Sequence, residues 1–433
     1  MRKLTLLFAL ALLVFAPMLV SAQSDQITLT IMAPDNTFAK PEGTAEASDV
    51  GSSKETQYQM LQDYTAAHPN ITFDVHNVPF ANLDSTELAA LEANQGADIL
   101  DVNSVTVGSF IDRGYLAPMD DLIKKNGLDT SIFYPGMLSS AVFQNQTYGL
   151  PIDTGTRVLY YNKKLFAAAG LQPPTTWDQI PDLAKKLTDT SKGVYGFVAT
   201  SGEKWLWLYE HAGMYALANG YSFVNADDTQ CTLNQGDNVQ AIQFWVDLYK
   251  EGVMSQDALL TGTGPEREQA FGNNKAAMYL GGFWSADTLK SQYNMNYPDD
   301  YGIVALKGKD GVGSATGGWI LSISKNSQHP QEALDFIAWI LGDSQRLADF
   351  TGLMPATSGA SALTLKGDFY QPFKDLLNSP NTRHPIPLNP GLPEQAETLR
   401  TVTQAAILGQ MTAQQAADSF CDQIKDTLRT PSS

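Results

Sequence analysis

Hydrophobic and polar residues follow two different periodicities in the first hundred residues of the chain. The stretches QITLTIMAP, ITFDVHNVPF and ADILDVN show the alternation or the short apolar run of β-strands. Between them, KETQYQMLQDYTAAHP and NLDSTELAALEANQ space their apolar residues as amphipathic helices do. This strand–helix–strand–helix–strand order predicts an α/β fold with a mostly parallel sheet and helices on both faces.

Polar residues follow directly after two of these strands. Asp35 and Asn36 come after the first strand, and Asn103 and Ser104 come after the third. Ligands of parallel α/β sheets bind at the carboxyl ends of the strands, so these four residues are candidate ligand contacts. Their alternative role is to form turns, which the same residue types favour.

The alternation of helices and strands continues through the rest of the chain. TTWDQIPDLAKKLTD predicts a helix that opens with a capping box formed by Thr176 and Gln179. VYGFVAT, AAMYLGGFW and GGWILSIS predict strands, whereas EKWLWLYEHAGMYALANG and PQEALDFIAWILGD predict helices. The sequence has no internal repeat and no long linker.

The first 22 residues have the pattern of a secretory signal peptide. Arg2 and Lys3 precede an apolar stretch, and Val20-Ser21-Ala22 resembles a cleavage site. The alternative is a membrane anchor, but the apolar stretch is short for a membrane span and contains Pro17. We therefore expect residues 1–22 to be removed and the mature protein to be secreted, in the periplasm or outside the cell.

Charge and cysteine content narrow the class of partner. The chain of 433 residues has a net charge of −18, spread along its length. Such a surface repels phosphate backbones and anionic lipids, so we expect neither nucleic acid nor a membrane surface as a partner.

Cys231 and Cys421 are the only cysteines; they form either a disulfide or two inert buried thiols. The histidines have no metal-ligand spacing, and we expect no metal or cofactor.

Several segments resemble those of a known family. YGLPIDTGTRVLYYNKKLFAAAGLQPPTTWDQIPDLAKKLT is similar to the extracellular solute-binding proteins of ABC importers, specifically the sugar-binding group that includes maltose-binding protein. ADILDVNSVTVGSFIDRGYLAPMDDL, NNKAAMYLGGFWSADTL, GGWILSISKNSQHPQEALDFIAWIL and LRTVTQAAILGQMTAQQAADSFCDQI match the same group in the same order. The loop at 36–52 looks longer than the norm of the group, and no role is assigned to it.

The resemblance implies an α/β, two-lobed periplasmic-binding-protein-like fold with a ligand cleft between the lobes. By analogy, the N-terminal lobe takes residues 23–150 plus 311–350, and the C-terminal lobe takes 151–310 plus 351–433. Residues 148–166 then form the first crossover between the lobes. The family closes around its ligand by a hinge motion.

The resemblance also implies where the ligand binds. A sugar needs carboxylates and amides for its hydroxyl groups and aromatic rings for its flat faces. The candidate contacts are Asp153 at the crossover, Trp284 and Trp319 after glycine pairs, Gly318, Trp205, and Arg383 in a proline-rich loop. The alternatives are turn capping for Asp153, core packing for each tryptophan, and a solvated surface position for Arg383.

One charged residue at the crossover stays undecided. Arg157 either pairs with Asp153 or contacts the ligand. The implied function is binding of a sugar, a di- or oligosaccharide, by a monomer that is not an enzyme and delivers it to a membrane permease. The alternatives are a secreted glycosidase, which would need two carboxylates flanking one bond, and a carrier for a polyol or a glycerol phosphodiester.

Overall fold

A computed structural model describes residues 26–34, 37–38, 54–79, 82–351, 354–387 and 389–429. The predicted signal peptide, Asp35, Asn36 and most of the 36–52 loop lie outside these residues. The strands are β1 (Ile27–Pro34), β2 (Ile71–Val78), β3 (Ile99–Asn103), β4 (Val142–Phe143), β5 (Gln146–Thr147), β6 (Leu150–Pro151), β7 (Val158–Asn162), β8 (Met278–Gly281), β9 (Tyr301–Val304), β10 (Lys307–Gly308), β11 (Gly311–Val312), β12 (Ser314–Ala315), β13 (Trp319–Ile323) and β14 (Thr382–Arg383).

Helices connect and cover these strands. The α-helices are α1 (Lys54–Ala67), α2 (Leu83–Glu92), α3 (Val107–Asp112), α4 (Asp120–Asn126), α5 (Pro135–Leu138), α6 (Lys163–Ala169), α7 (Ile180–Leu187), α8 (Lys204–Leu206), α9 (Gly213–Asn219), α10 (Gln240–Lys250), α11 (Gln256–Thr261), α12 (Gly264–Gly272), α13 (Ser285–Tyr293), α14 (Pro330–Leu341), α15 (Ser344–Thr351), α16 (Ser358–Thr364), α17 (Gln371–Leu377), α18 (Leu392–Ile407) and α19 (Ala413–Gln423). A π-helix spans Trp207–Ala212 between α8 and α9. Short 3₁₀ turns lie at Thr130–Ile132, Ser139–Ala141, Trp177–Gln179, Thr190–Lys192, Gly236–Val239, Asp368–Tyr370 and Lys425–Thr427.

The larger sheet has five strands in the order β2-β1-β3-β13-β6. The strands β1, β2 and β3 are parallel, as the sequence pattern predicts, but β13 is antiparallel to both β3 and β6. The prediction of a mostly parallel sheet is therefore wrong for the far side of this sheet. The reason is that β13 arrives from a distant part of the chain, so no local connection forces it to be parallel.

The smaller sheet, β8-β7-β9, is antiparallel. Its central strand carries Tyr160, whose ring stacks on Tyr279 and Tyr301 at centroid distances of 4.9 and 5.6 Å. Asn162 then caps α6 by accepting a hydrogen bond from the Leu165 N–H, which explains why the strand ends there. The strand therefore delivers the chain from the crossover into a packed aromatic layer.

Several smaller predictions can be compared with the structure. The capping box of Thr176 and Gln179 is present. The predicted strand VYGFVAT makes isolated bridges, Val194 to Asp189, Tyr195 to Ala276 and Val198 to Tyr279, and no continuous ladder. Cys231 and Cys421 form a disulfide across a sequence separation of 190 residues, which settles the alternative that the sequence left open.

The chain runs between the two sheets more than once. It leaves the five-stranded sheet after β6, enters the three-stranded sheet at β7, and returns after β9 to β13. This discontinuous order matches the two-lobed architecture; the residue boundaries given above for the lobes stay a prediction. None of the described helices combines the length and apolarity needed to cross a membrane.

Candidate ligand site

Two stretches of chain that connect the sheets run side by side. The Gly155 N–H donates to the Gly317 carbonyl at 2.9 Å, and the Ile152 N–H donates to the Trp319 carbonyl at 3.0 Å. The hydroxyl groups of Thr154 and Thr316 also share a hydrogen bond at 2.9 Å. These bonds tie the outgoing and returning stretches into one frame from which the site residues project.

A third stretch joins this frame. Strand β12 pairs in parallel with β14, so Ser314 lies beside Thr382 and Ala315 beside Arg383. The proline-rich loop therefore reaches the same place as the two crossovers, as the family resemblance implies.

Asp153 lies half-buried within this frame and holds the returning stretch. Its Oδ1 accepts a hydrogen bond from the Trp319 N–H at 2.6 Å. Burial raises the pKa of Asp153 to about 7, while the Trp319 N–H works in the opposite direction. A Cβ at Gly318 would lie 2.4 Å from Asp153 Oδ1 and 2.5 Å from its carbonyl oxygen, so only glycine permits this contact.

The end of β3 is joined to the same point. The Ser104 N–H donates to the Gly318 carbonyl at 2.9 Å, and the Gly318 N–H donates to Ser104 Oγ at 3.0 Å. Asn103 lies opposite Trp319 in the ladder, and its Oδ1 accepts from the Val105 N–H at 3.1 Å. The structure thus brings Asn103, Ser104, Asp153, Gly318 and Trp319 together. The bond of Asn103 is a turn bond, which is the alternative role, whereas the bonds of Ser104 and Asp153 join segments that are distant in the sequence.

Arg157 lies beside the second part of the site, between two aromatic rings. The guanidinium carbon is 5.2 Å from the centre of the Trp284 ring and 5.5 Å from the centre of the Tyr209 ring. These are cation–π distances. A Cβ at Gly155 would lie 3.3 Å from Trp284, so the indole ring packs against the crossover backbone. Burial lowers the pKa of Arg157 to about 10, which leaves it charged at neutral pH.

The partner of Arg157 is Glu210, not Asp153. Arg157 Nε lies 3.7 Å from Glu210 Oε1, and its Nη1 donates to the Gly155 carbonyl at 2.5 Å. Glu210 is almost fully buried and forms an ion pair with Arg267 on α12. Among the described residues, no ion pair links Arg157 with Asp153. The alternative that Arg157 pairs with Asp153 is therefore wrong in this structure.

The π-helix positions two of these side chains. Tyr209 and Glu210 are consecutive, and both are buried. A π-helical stretch widens the helix and is frequent at functional sites. Hydrophobic periodicity did not single out Tyr209, Glu210 or Arg267. The sequence does contain one signal for them: a glutamate within the apolar stretch WLWLYEHAGMYALA indicates a buried ion pair.

The loop that contains Arg383 presents a different residue to the site. Arg383 is exposed, and its Nη1 makes a long contact of 3.4 Å with the Pro380 carbonyl. His384 is buried, and its Nδ1 lies 2.5 Å from the Tyr209 hydroxyl. In this structure His384, directly after β14, is the residue of this loop that contacts Tyr209, whereas Arg383 faces solvent.

His384 has one further property of interest. Its Nε2 is buried and has no hydrogen-bond partner. Burial and the nearby charge of Arg157 lower the pKa of His384 to about 3, so the imidazole is neutral at physiological pH.

The four tryptophans of interest occupy different environments. Trp207 is buried and packs on Trp245, which makes it a core residue. Trp205, Trp284 and Trp319 are half-buried. The ring of Trp205 meets Tyr209 edge to face at 6.3 Å, which places it near the same group. The guanidinium of Arg157 lies over the ring of Trp284, so one face of this indole is covered by a cation in this structure.

Two candidates cannot be placed. Asp35 and Asn36 lie outside the described residues. Burial and the nearby Asp153 raise the pKa of Asp101 on β3 well above its usual value. A hydrogen bond from Thr37, which the structure describes, acts in the opposite direction. Within the described ranges, no group of three or more acidic, histidine or cysteine side chains could hold a metal ion.

Comparison with known proteins gives a consistent picture. Residues 48–346 match the family model of the bacterial extracellular solute-binding proteins. The chain is 26% identical over 376 residues to the sn-glycerol-3-phosphate-binding periplasmic protein UgpB of Pectobacterium atrosepticum, with 79% of this chain and 81% of the relative covered.

Solved structures share the fold. The sugar-binding protein MalE from Xanthomonas citri has a TM-score of 0.75 at 20% identity, covering 93% of this chain and 97% of that one. An ABC transporter solute-binding protein from Thermotoga lettingae, solved with α-D-tagatose bound, has a TM-score of 0.71 at 23% identity, covering 93% and 100%. At these identities the likeness concerns the fold.

Proposed function

Because the chain belongs to the bacterial extracellular solute-binding protein family, we propose that it captures a sugar outside the cytoplasmic membrane and hands it to the permease of an ABC importer. The ligand is a di- or oligosaccharide that lies against the three connecting stretches. The observation that carries this proposal is the meeting of Asp153, Trp319, Arg157 and Trp284 at the place where the chain passes between its two sheets.

The chemistry of these side chains suits a sugar. Asp153 and Ser104 supply oxygen atoms, Arg157 supplies donors, and half-buried indoles supply apolar surface. Sugars present hydroxyl groups on apolar C–H faces, so a site needs both kinds of group close together. Asp35 and Asn36, which follow β1 in the sequence, stay proposed contacts.

Delivery depends on closure. Paired connecting stretches join the sheets at the site, and their backbone hydrogen bonds there give a place about which two lobes can rotate. A ligand that contacts both sides favours the closed state by its additional contacts in that state. The binding protein docks on the permease as a monomer. The permease distinguishes the loaded protein from the empty one by its closed shape.

The UgpB relatives favour a second candidate ligand. These relatives are sn-glycerol-3-phosphate-binding proteins, so a polyol or a glycerol phosphodiester is the alternative cargo for this chain. A secreted glycosidase is the remaining alternative, and the relatives that match are binding proteins.

One experiment separates these functions. Purified protein that lacks residues 1–22 is incubated with neutral oligosaccharides, polyols and glycerol phosphodiesters, and both the melting temperature and the products are recorded. We expect a sugar to raise the melting temperature without being cleaved. Turnover of an oligosaccharide would overturn the carrier function, and a shift only with phosphodiesters would replace the sugar by the alternative cargo.

Closure has its own measurement. Small-angle scattering with the bound sugar should show a smaller radius of gyration than without it. An unchanged radius at saturating ligand would contradict delivery by hinge closure.

A further inference from the structure

Beside the candidate ligand site, two segments from different parts of the molecule meet through their backbones. Gly108 lies on α3, four residues after Ser104, which is bonded to Gly318 at the site. A Cβ at Gly108 would lie 2.8 Å from the carbonyl oxygen of Asn389, 2.9 Å from its carbonyl carbon and 3.2 Å from its nitrogen. Because backbone atoms cannot give way as a flexible side chain does, only glycine allows this approach.

Asn389 belongs to the part of the molecule around the three-stranded sheet. Helix α18 begins three residues after it, and on this helix Gln404 Nε2 donates to Ser201 Oγ at 2.8 Å. Val198, three residues before Ser201, bridges to β8. Gly108, in contrast, lies on the helix that follows β3 of the five-stranded sheet. The contact between Gly108 and Asn389 therefore joins the two parts.

A second contact joins the same two parts. The guanidinium carbon of Arg429 lies 4.5 Å from the centre of the Phe143 ring, which is a cation–π distance. Phe143 lies on the hairpin of β4 and β5, directly before β6 of the five-stranded sheet. Arg429 follows α19, which packs on α18. The end of the described chain thus reaches from one part of the molecule to the other.

Asp228 holds both residues that reach across. Its Oδ2 accepts from the side-chain amide of Asn389, and its carbonyl oxygen accepts from the Arg429 N–H at 2.8 Å. Asp228 is 0% exposed and Asn389 is 1% exposed, so the bond between them is shielded from water. Nearby, Gln395 Nε2 on α18 donates to Thr427 Oγ1 at 3.0 Å. Asn389 and Arg429 are therefore anchored on their own side as one unit.

The position of the first contact shows when it forms. Gly108 comes four residues after Ser104, and Asn389 comes five residues after His384, so both follow shortly after residues of the site. Four residues of extended chain span at most about 14 Å, which places the contact close to the ligand site. It joins two parts that rotate about the connecting stretches, so it is made only while these parts are together.

We propose that these two contacts form a latch between the two parts of the molecule, which stabilises the closed state and thereby sets the ligand affinity without touching the ligand. A protein whose binding-competent state is only partly populated binds with an affinity reduced by that fraction. Loss of the latch should therefore weaken the binding of every ligand by the same factor. This inference rests on the proposed function and names what regulates its site.

The first test places a wedge in the latch. Gly108→Ala puts a methyl group against the Asn389 backbone, so the closed state is disfavoured while the open state is not affected. Isothermal titration calorimetry is carried out with maltose, cellobiose and sn-glycerol 3-phosphate. Each of them that binds the wild type should bind the variant about tenfold more weakly or less tightly still. The ratio of these affinities should equal that of the wild type, because the wedge does not touch the ligand.

Unfolding without ligand separates a latch from permanent packing. In the ligand-free variant the two parts rotate apart and relieve the overlap, so the urea midpoint should not fall below that of the wild type. Gly264→Ala is the matched control, because Gly264 also lies in the first turn of a helix and the nearest atom to its Cβ is 3.8 Å away. This control should keep the wild-type affinity. A lower midpoint of ligand-free Gly108→Ala would show permanent packing and overturn the latch.

The second contact has its own variant. Phe143→Leu removes the ring that Arg429 covers but keeps an apolar side chain. It should weaken binding about two- to fivefold, which corresponds to the loss of one cation–π contact, and again by the same factor for each ligand.

The outcomes separate this inference from the proposed function. Wild-type affinity in Gly108→Ala, or different factors for different ligands, would overturn the latch and leave sugar transport intact. If the wild type binds sn-glycerol 3-phosphate but no sugar, the proposed cargo fails, and the same variants test the latch with that ligand. A wild type that binds no compound of the whole panel would overturn both.

Discussion

Replacing Glu87 by leucine should stabilise the protein, and the gain should grow with pH. Glu87 lies on α2 between Leu83 and Leu91, and all three side chains are buried. It is 0% exposed, and neither of its carboxyl oxygens has a hydrogen-bond partner. Burial, together with the nearby Asp101 and Asp84, raises its pKa well above the usual value. The carboxyl group of Glu87 thus lies on the buried apolar face of α2.

The magnitude has two parts. A buried polar group without a partner costs about 1–3 kcal/mol, and leucine adds apolar surface worth about 0.8 kcal/mol per methylene. We therefore expect Glu87→Leu to raise the free energy of unfolding by about 2 kcal/mol at pH 5. The folded state also keeps a proton on Glu87 at pH values where an unfolded glutamic acid has lost it, near pH 4.3 and above.

The sign of the pH dependence follows from that proton. Where the folded state binds more protons than the unfolded state, stability falls as pH rises. Each pH unit between the two pKa values removes about 1.4 kcal/mol from the wild type and nothing from the leucine variant. The gap between the two proteins should therefore widen from pH 5 to pH 8.

Urea unfolding at both pH values measures this. Glu87→Gln separates charge from polarity, since it keeps a polar group but cannot ionise; it should be nearly neutral at pH 5 and stabilising at pH 8. Glu92→Gln is the matched control on the same helix, because Glu92 is exposed and pairs with Arg113; its effect should stay within about 0.5 kcal/mol. Equal stability of wild type and both Glu87 variants at pH 8 would refute the reasoning.

Three further predictions concern the site and the fold. Asp153→Ala should weaken sugar binding about tenfold or more and also lower stability by about 1–3 kcal/mol, because the Trp319 N–H loses its acceptor; calorimetry and unfolding curves measure the two effects, and an unchanged affinity would restrict Asp153 to its structural role. Gly318→Ala should destabilise the protein, since the new methyl group would overlap Asp153, and denaturant midpoints equal to wild type would contradict the close approach. Removing the disulfide with Cys231→Ala and Cys421→Ala should cost about 2–5 kcal/mol, because it closes a loop of 190 residues in the unfolded chain; a double variant as stable as the oxidised wild type would show that the crosslink contributes nothing.

Charge at the crossover shows the limit of reasoning along the chain. Asp153 and Arg157 are four residues apart, which made them natural partners. In the structure Arg157 instead meets Glu210, a residue more than fifty positions away on a π-helix, and Asp153 binds a backbone N–H. Sequence distance gives no information about such pairs, because they form only when the crossover and the π-helix pack together.

The sequence by itself determined what depends on local order. Periodicity and capping residues predicted β1, α1, β2, α2, β3 and the capping box at Thr176, since the hydrogen bonds and apolar stripes of these elements lie within or next to the segment. The ordered motifs also led to the family, which the comparison confirms.

Tertiary structure decided everything that depends on which distant segments meet. It turned β13 antiparallel to its neighbours, joined Cys231 to Cys421, and directed His384 rather than Arg383 toward the site. Each of these outcomes follows from packing between segments far apart in the chain. The pairing of Thr382 with Ser314 and of Arg383 with Ala315 fixes where β14 lies, and His384, directly after the strand, then lies against Tyr209.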